Sequence, residues 1–141
     1  AALQAAGLEP QIIVAPAMGG LIIGHETARA FDLPFIFTER SEGTMVLRRG
    51  FGLAPGQRVV VIEGVVTTGK STREVIAILE GLGAAVLGVG SLVNRSGRPQ
   101  PFGALPSRHL VEADFPTWSR DACPLCREGV AIAKPGSRPI A

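Results

Sequence analysis

The chain has 141 residues, 46% of them hydrophobic, and a mean hydropathy of +0.31, which excludes a disordered chain and fits one domain with a single core. Fourteen basic against twelve acidic residues leave a net charge of +2, too small a surplus for general nucleic-acid binding. No apolar run reaches the roughly 18 residues of a membrane span, and no signal-peptide pattern is present. The chain opens Ala1-Ala2-Leu3-Gln4 without Met, a start expected of a fragment or processed form.

Gln11 to Pro16 reads as a first buried strand, followed by a tight turn, Ala17-Met18-Gly19-Gly20, in which the backbone can approach a ligand closely. Leu21 to Phe31 reads as a helix with Leu21, Ile22, Ala28 and Phe31 on the core side. His25 and Glu26 lie in this helix, and the lone His reads as a solvated or satisfied residue rather than a ligand. Leu33 to Phe37 is a second short strand after a turn at Asp32. Glu39 to Gly50 alternates charge, glycine and a short apolar segment, and reads as a mobile hairpin or lid carrying Arg40, Arg48 and Arg49. Gly52 to Gln57, with Pro55-Gly56, is a turn.

The central stretch follows. Val59 to Ile62 is β-branched throughout and reads as a strand buried on both faces. A small, hydroxyl-rich turn spans Glu63 to Gly69. Ser71 to Gly83 reads as a helix with Val75, Ile76, Ile78, Leu79 and Leu82 on one stripe, and Ser71 and Glu74 have the spacing of a capping box. A strand, a small-residue loop and a helix N-terminus together form a phosphate site, because backbone N–H groups and the helix dipole converge on the loop.

Ala84 to Val93 is another long apolar strand, ending in Asn94-Arg95-Ser96-Gly97. An Arg just past the carboxyl end of a buried strand faces the crevice where open parallel sheets bind ligands, so Arg95 reads as a ligand contact. Leu105 to Val111 is a final strand. Strands alternating with helices imply an α/β fold with a doubly wound, mainly parallel sheet. The core is assigned to residues 1–113 and a C-terminal tail of the same domain to 114–141. The tail contains Cys123-Pro124-Leu125-Cys126. Zinc would need two further ligands, and His25 and His109 are the only histidines. The pair reads as reduced cysteines in a turn, and the expected location is cytoplasmic.

Two phosphate chemistries fit the central stretch. Gly64 to Ser71 matches the P-loop pattern GxxxxGK[ST] in the required strand–loop–helix setting. A P-loop enzyme also wants a second strand ending in Asp, whereas the other long strand here ends in Asn94, and Glu63 is awkward beside a triphosphate. The same residues resemble the signature of type I phosphoribosyltransferases: an apolar strand, two acids, two apolar residues and Thr-Thr-Gly. Ala15 to Gly20 resembles the pyrophosphate loop of the orotate phosphoribosyltransferases. Phe37 to Arg40 with Leu47 to Phe51 resembles their lid, Asn94 to Gly97 their Asp-Arg-Ser-Gly segment, and Cys123 to Gly129 the tail of one branch. The resemblance spans nearly the whole chain in the family's order, starting without the family's usual N-terminal segment.

The resemblance implies a type I phosphoribosyltransferase fold and a reaction: orotate and phosphoribosyl pyrophosphate give orotidine 5′-monophosphate and pyrophosphate, with Mg²⁺ as cofactor and no separate protein metal site. It implies that Glu63, Gly64, Val65, Val66, Thr67, Thr68, Gly69, Lys70 and Ser71 bind phosphoribosyl pyrophosphate, Glu63 through the ribose hydroxyls and Thr67 to Ser71 through the 5-phosphate. Ala17, Met18, Gly19 and Gly20 would hold pyrophosphate, and Thr67 and Arg95 would contact orotate. Breaking the anomeric bond builds negative charge on pyrophosphate, which Mg²⁺, loop N–H groups and lid arginines can stabilise. In this family the lid serves the neighbouring subunit, so a homodimer is implied; neither nucleic acid nor membrane is an expected partner.

There are departures from the family pattern. Gly64 stands where the second acid is usual, Lys70 where a small residue is common, and the lid lacks the usual Lys and His, leaving Arg40 as the candidate catalytic residue. The alternatives are a P-loop nucleotide-binding enzyme and a non-catalytic phosphoribosyl-binding regulator.

Overall fold

The computed structural model describes residues 2–133. Six strands form one sheet: β1 (Ile12–Pro16), β2 (Phe35–Ser41), β3 (Thr44–Leu47), β4 (Arg58–Val66), β5 (Ala85–Asn94) and β6 (Ser107–Glu112). Their order is β3-β2-β1-β4-β5-β6. All neighbours pair in parallel except β2 and β3, which form an antiparallel hairpin. The helices are α1 (Ala2–Ala5), α2 (Leu21–Phe31), α3 (Lys70–Gly81) and α4 (Pro124–Arg127). The expected doubly wound, mainly parallel sheet is the fold observed.

Burial follows strand alternation. Val59 and Val61 pack with Val75 and Leu79 of α3 on one face, while Val60 and Ile62 pack with Ala28 of α2 on the other. Val59, Val60 and Val61 are fully buried, each stabilising by about 1.5–3 kcal/mol relative to exposure. The chain leaves β1, returns as β2 on one side, then crosses to β4 on the other. The strand order therefore reverses between β1 and β4, and the loops after these two strands flank the crevice at the switch point.

Several boundaries differ from the sequence reading. β4 runs on through Glu63 to Val66, because β5 continues beside it and pairs Val65 with Val93 and Val66 with Asn94. The turn is thereby shortened to Thr67–Gly69. The capping box does not form: α3 starts at Lys70, its N-cap is Gly69 in the left-handed conformation (φ 72°), and no side chain caps it. Glu74 is drawn instead to Arg40 and Lys70.

Ile22 points outward at 81% exposure. α2 turns Gly24 and Ala28 inward, since a Cβ at Gly24 would lie 2.5 Å from the Phe35 ring. Leu82 caps α3 and is half exposed rather than core. β2 extends past Phe37 to Ser41, and β6 begins at Ser107 rather than Leu105. The short helices α1 and α4 carry too little periodicity to be foreseen. The sheet ends at Glu112, with the Ala113 N–H still donating to the Asn94 carbonyl at 2.9 Å. Of the tail assigned to 114–141, residues 134–141 lie outside the described residues.

Candidate active site

The carboxyl end of β4 and the first turn of α3 enclose a cavity of about 310 Å³. Its walls are Glu63, Val65, Val66, Thr67, Thr68, Gly69, Lys70, Ser71 and Thr72, with Arg40 reaching in from the β2–β3 hairpin. Eight of the nine residues of the expected phosphoribosyl stretch thus line one space, and the candidate lid arginine joins them. The first N–H groups of α3 have no partner within the helix; that of Lys70 takes the Thr68 hydroxyl at 3.3 Å. The arrangement suits a phosphate held by main-chain donors, threonine and serine hydroxyls and a nearby cation.

Gly64 is the exception. Alternation along β4 turns Glu63 and Val65 toward the cavity, and Gly64 toward the loop after β1. A Cβ at Gly64 would sit 3.0 Å from the Gly19 carbonyl oxygen. The Gly64 N–H donates to Glu63 Oε1 at 2.9 Å. Glu63 is half-buried, and burial raises its carboxyl above the ordinary carboxylate range, opposed by hydrogen bonds from the Gly64 N–H and the Thr72 hydroxyl. Among the described residues it is the one acidic residue lining the cavity.

Ala17, Met18, Gly19 and Gly20 do not line this cavity; they form the adjoining turn between β1 and α2. The Ala17 N–H donates to the Thr38 carbonyl at 2.7 Å and the Gly20 N–H to the Pro16 carbonyl at 3.0 Å, and the Ala17–Met18 peptide is cis. Gly20 is required by packing, since a Cβ there would lie 2.8 Å from the Pro16 carbonyl oxygen. Met18 is 81% exposed, and a Cβ at Gly19 would meet nothing within 4 Å, so this side of the loop is open to solvent.

Arg40 pairs with Glu74 of α3 and donates through Nη1 to the Gly43 carbonyl at 2.6 Å. Arg48 and Arg49 face Glu39, at 3.5 and 2.8 Å. The hydrogen bond from Arg49 holds the Glu39 carboxyl below its usual range. Lys70 is exposed, with Nζ 4.0 Å from Glu74 Oε1.

A second space of about 550 Å³ adjoins the first and shares Thr67 and Thr68 as its wall. Arg95 lines it, together with Arg73, Ser96 and Phe115. Asn94, buried at the end of β5, shapes this loop by donating to the Arg98 carbonyl at 2.7 Å and accepting from the Ser96 N–H at 3.0 Å. The Arg95 N–H donates to the Val66 carbonyl at 2.7 Å. Its guanidinium lies 4.5 Å from the centre of the Phe115 ring. Arg73, Phe102 and Phe115 escaped the sequence reading, which gave Glu74 a capping role only. The signal for Phe115 was an aromatic residue, with Trp118 close by, in the segment after the last strand.

Cys123 and Cys126 are free thiols at the start of α4. A hydrogen bond from the Cys126 N–H holds the Cys123 thiol below its usual range, and the bond with Cys123 raises Cys126. Among the described residues, no three His, Cys, Asp or Glu residues cluster closely enough to hold a metal ion. None of the described helices is long and apolar enough to cross a membrane.

Comparison with known proteins adds to this geometry. Residues 2–121 match the family model of the phosphoribosyl transferase domain. The chain is 46% identical over 136 residues to the orotate phosphoribosyltransferase of Carboxydothermus hydrogenoformans, covering 96% of this chain and 71% of that protein. It is 46% identical over 128 residues to the orotate phosphoribosyltransferase of Thermotoga maritima, covering 91% of this chain and 68% of that one. Adenine phosphoribosyltransferase from Thermoanaerobacter pseudethanolicus shares the fold, with a TM-score of 0.69 at 20% identity over 79% of this chain and 74% of that one. Orotate phosphoribosyltransferase from Aeropyrum pernix gives a TM-score of 0.51 at 27% identity, over 63% of this chain and 51% of that one.

Proposed function

This chain belongs to the orotate phosphoribosyltransferases, within the phosphoribosyl transferase domain family, and from that premise we propose that it transfers the phosphoribosyl group of phosphoribosyl pyrophosphate to orotate, releasing pyrophosphate. The observation that carries the proposal is the shared wall Thr67-Thr68. A cradle suited to a 5-phosphate lies on one side and an arginine-bearing pocket suited to a carboxylated base on the other. The two reactants would meet across that wall. Holding them in place removes much of the entropic barrier.

Each residue then has a task. Thr67 to Ser71 hold the 5-phosphate. Glu63, once ionised, accepts hydrogen bonds from the ribose hydroxyls. The backbone of Ala17 to Gly20 and Arg40 stabilise charge developing on the leaving pyrophosphate. Arg95 presents a planar fork that a carboxylate binds bidentately. A Mg²⁺ ion is part of the proposal. The donor set fits an ion carried mainly by substrate phosphates, since Glu63 is the one carboxylate that lines the cavity among the described residues. That ion would supply charge neutralisation on the leaving group.

We further propose a homodimer. A shallow apolar groove lined by Leu21, Ile22, Phe35, Phe37 and Phe51 supports it, and light scattering tests it. A cytoplasmic location is proposed with it, since both cysteines are free.

The test mixes the protein with Mg²⁺, phosphoribosyl pyrophosphate and orotate and follows the loss of orotate absorbance. Turnover is expected. Binding without turnover would favour the regulator reading, which the missing second acid at Gly64 motivates. Stabilisation by ATP with none by phosphoribosyl pyrophosphate would revive the P-loop reading.

A further inference from the structure

Arg73 lies on the first turn of α3, four residues past Gly69, and its own N–H closes that turn on the Gly69 carbonyl at 3.0 Å. Its side chain does not follow the helix. Nη2 donates to the Thr68 carbonyl, inside the phosphate loop. Nη1 donates to the Pro101 carbonyl at 3.0 Å, in the segment that follows β5 and Arg95. The guanidinium plane lies over the Phe102 ring, 5.8 Å from its centre. Phe102 in turn presses on the loop, since a Cβ at Gly69 would be 2.9 Å from that ring and 3.2 Å from Arg73 Nη1.

One guanidinium therefore ties two loops that share no strand pairing at that point. One loop forms the phosphate cradle. The other carries the wall of the pocket containing Arg95. Two donors in a fixed plane set the separation of two carbonyls in a way that an ammonium point charge cannot. One of those carbonyls belongs to Thr68, which with Thr67 forms the wall between the two spaces. Their position decides how a bound ribose faces a bound base, and small errors of alignment cost large factors in rate.

We propose that Arg73 is a positioning residue that locks the phosphate loop to the 97–103 segment, and so sets the alignment of the ribose with the incoming base. This rests on the phosphoribosyl reading of the cleft. Arg73 is not assigned a contact with either substrate.

The experiment compares the wild-type chain with Arg73→Ala and Arg73→Lys. Calorimetry measures phosphoribosyl pyrophosphate affinity, steady-state kinetics with orotate measures kcat and KM, and amide hydrogen exchange follows residues 67–69 and 97–103. In Arg73→Ala, phosphoribosyl pyrophosphate affinity should stay within about threefold of wild type while kcat falls about 10–100-fold. Exchange should rise in both loops together. Arg73→Lys should resemble Arg73→Ala. A kcat within twofold of wild type in Arg73→Ala, full rescue by lysine, or affinity and kcat falling equally would each overturn the proposal. A wild-type chain without turnover on orotate counts against the transferase reading instead. Hydrogen exchange then decides for Arg73, and unchanged exchange in either loop of Arg73→Ala overturns it.

Discussion

Arg40, which reaches from the β2–β3 hairpin into the cavity at the start of α3, is paired with Glu74 of α3. The hairpin and the helix are far apart in sequence, and this ion pair ties them at the site. Both side chains are 29% exposed, so the pair contributes modestly to stability, about 1 kcal/mol or less. Its larger effect is on charge. Glu74 occupies a cation that an incoming phosphate would otherwise meet. Glu74→Gln should leave stability nearly unchanged and tighten phosphoribosyl pyrophosphate binding by about 0.5–1 kcal/mol, with the gain shrinking as salt is added. Calorimetry at two ionic strengths measures this. Weaker binding would mean that Glu74 holds Arg40 in its working position.

Glu63 makes the site pH-sensitive on the acid side. Burial raises its carboxyl above the usual value of 4.5, so the acid limb of kcat/KM should lie above the ordinary carboxylate range. Glu63→Gln should lower activity and remove that limb. The effect on stability follows from linkage. The native protein keeps a proton that the unfolded chain has already released, so this group's contribution is fully present below the unfolded value and is lost as pH rises through the raised native one. A thermal-unfolding series through that window, on wild type and Glu63→Gln, should differ in that direction.

Gly64 separates hydrogen bonding from packing. Gly64→Ala puts a methyl group 3.0 Å from the Gly19 carbonyl, so the loop after β1 must give by a few tenths of an ångström. Gly64→Asp meets the same obstacle but adds an acid. If that acid reaches a ribose hydroxyl, Asp should bind phosphoribosyl pyrophosphate more tightly than Ala by roughly 1.5–3 kcal/mol. Equal dissociation constants for the two variants would show that the acid finds no partner.

Arg95 should act on the base alone. Arg95 is exposed in the free chain, so Arg95→Ala is expected to lower kcat/KM for orotate by about 1.5–3 kcal/mol, the range for hydrogen bonds to a charged group, with phosphoribosyl pyrophosphate affinity little changed. Lysine should rescue only in part, lacking the fork. Phe115→Ala removes the ring beneath the guanidinium and should cost about 0.5–1 kcal/mol in the same constant. Equal losses in both substrates' constants would remove Arg95 from the base pocket.

The central strand, the hydroxyl-rich loop that lines the cavity and the placing of Arg95 past a strand end were readable because each is written locally. A β-branched run, a cluster of small hydroxylated residues and an Arg past a strand end need no distant partner to be interpreted. What escaped depends on partners far away. The Ser71–Glu74 spacing signals a capping box, yet Glu74 goes to Arg40, 34 residues upstream, and Gly69 takes the cap. Ile22 fits the periodic stripe of α2, but the close packing of Gly24 on Phe35 rotates that helix and turns it outward. Arg73 and Phe102 gain meaning only once two loops are brought together by the sheet.

The position of β4 has a dynamic consequence. It is paired on both sides by parallel neighbours and carries three fully buried valines, whereas β3 is a four-residue edge strand that pairs, among the described residues, with β2 alone and packs Met45 against α3. Amides at 59–62 should exchange only by global unfolding, and those at 44–47 by local opening of far lower free energy. The sheet thus carries a gradient of local stability from centre to edge. The floor of the cavity that Glu63 to Thr72 line is its most rigid part, and the hairpin bearing Arg40 is the part that thermal fluctuation lifts most readily.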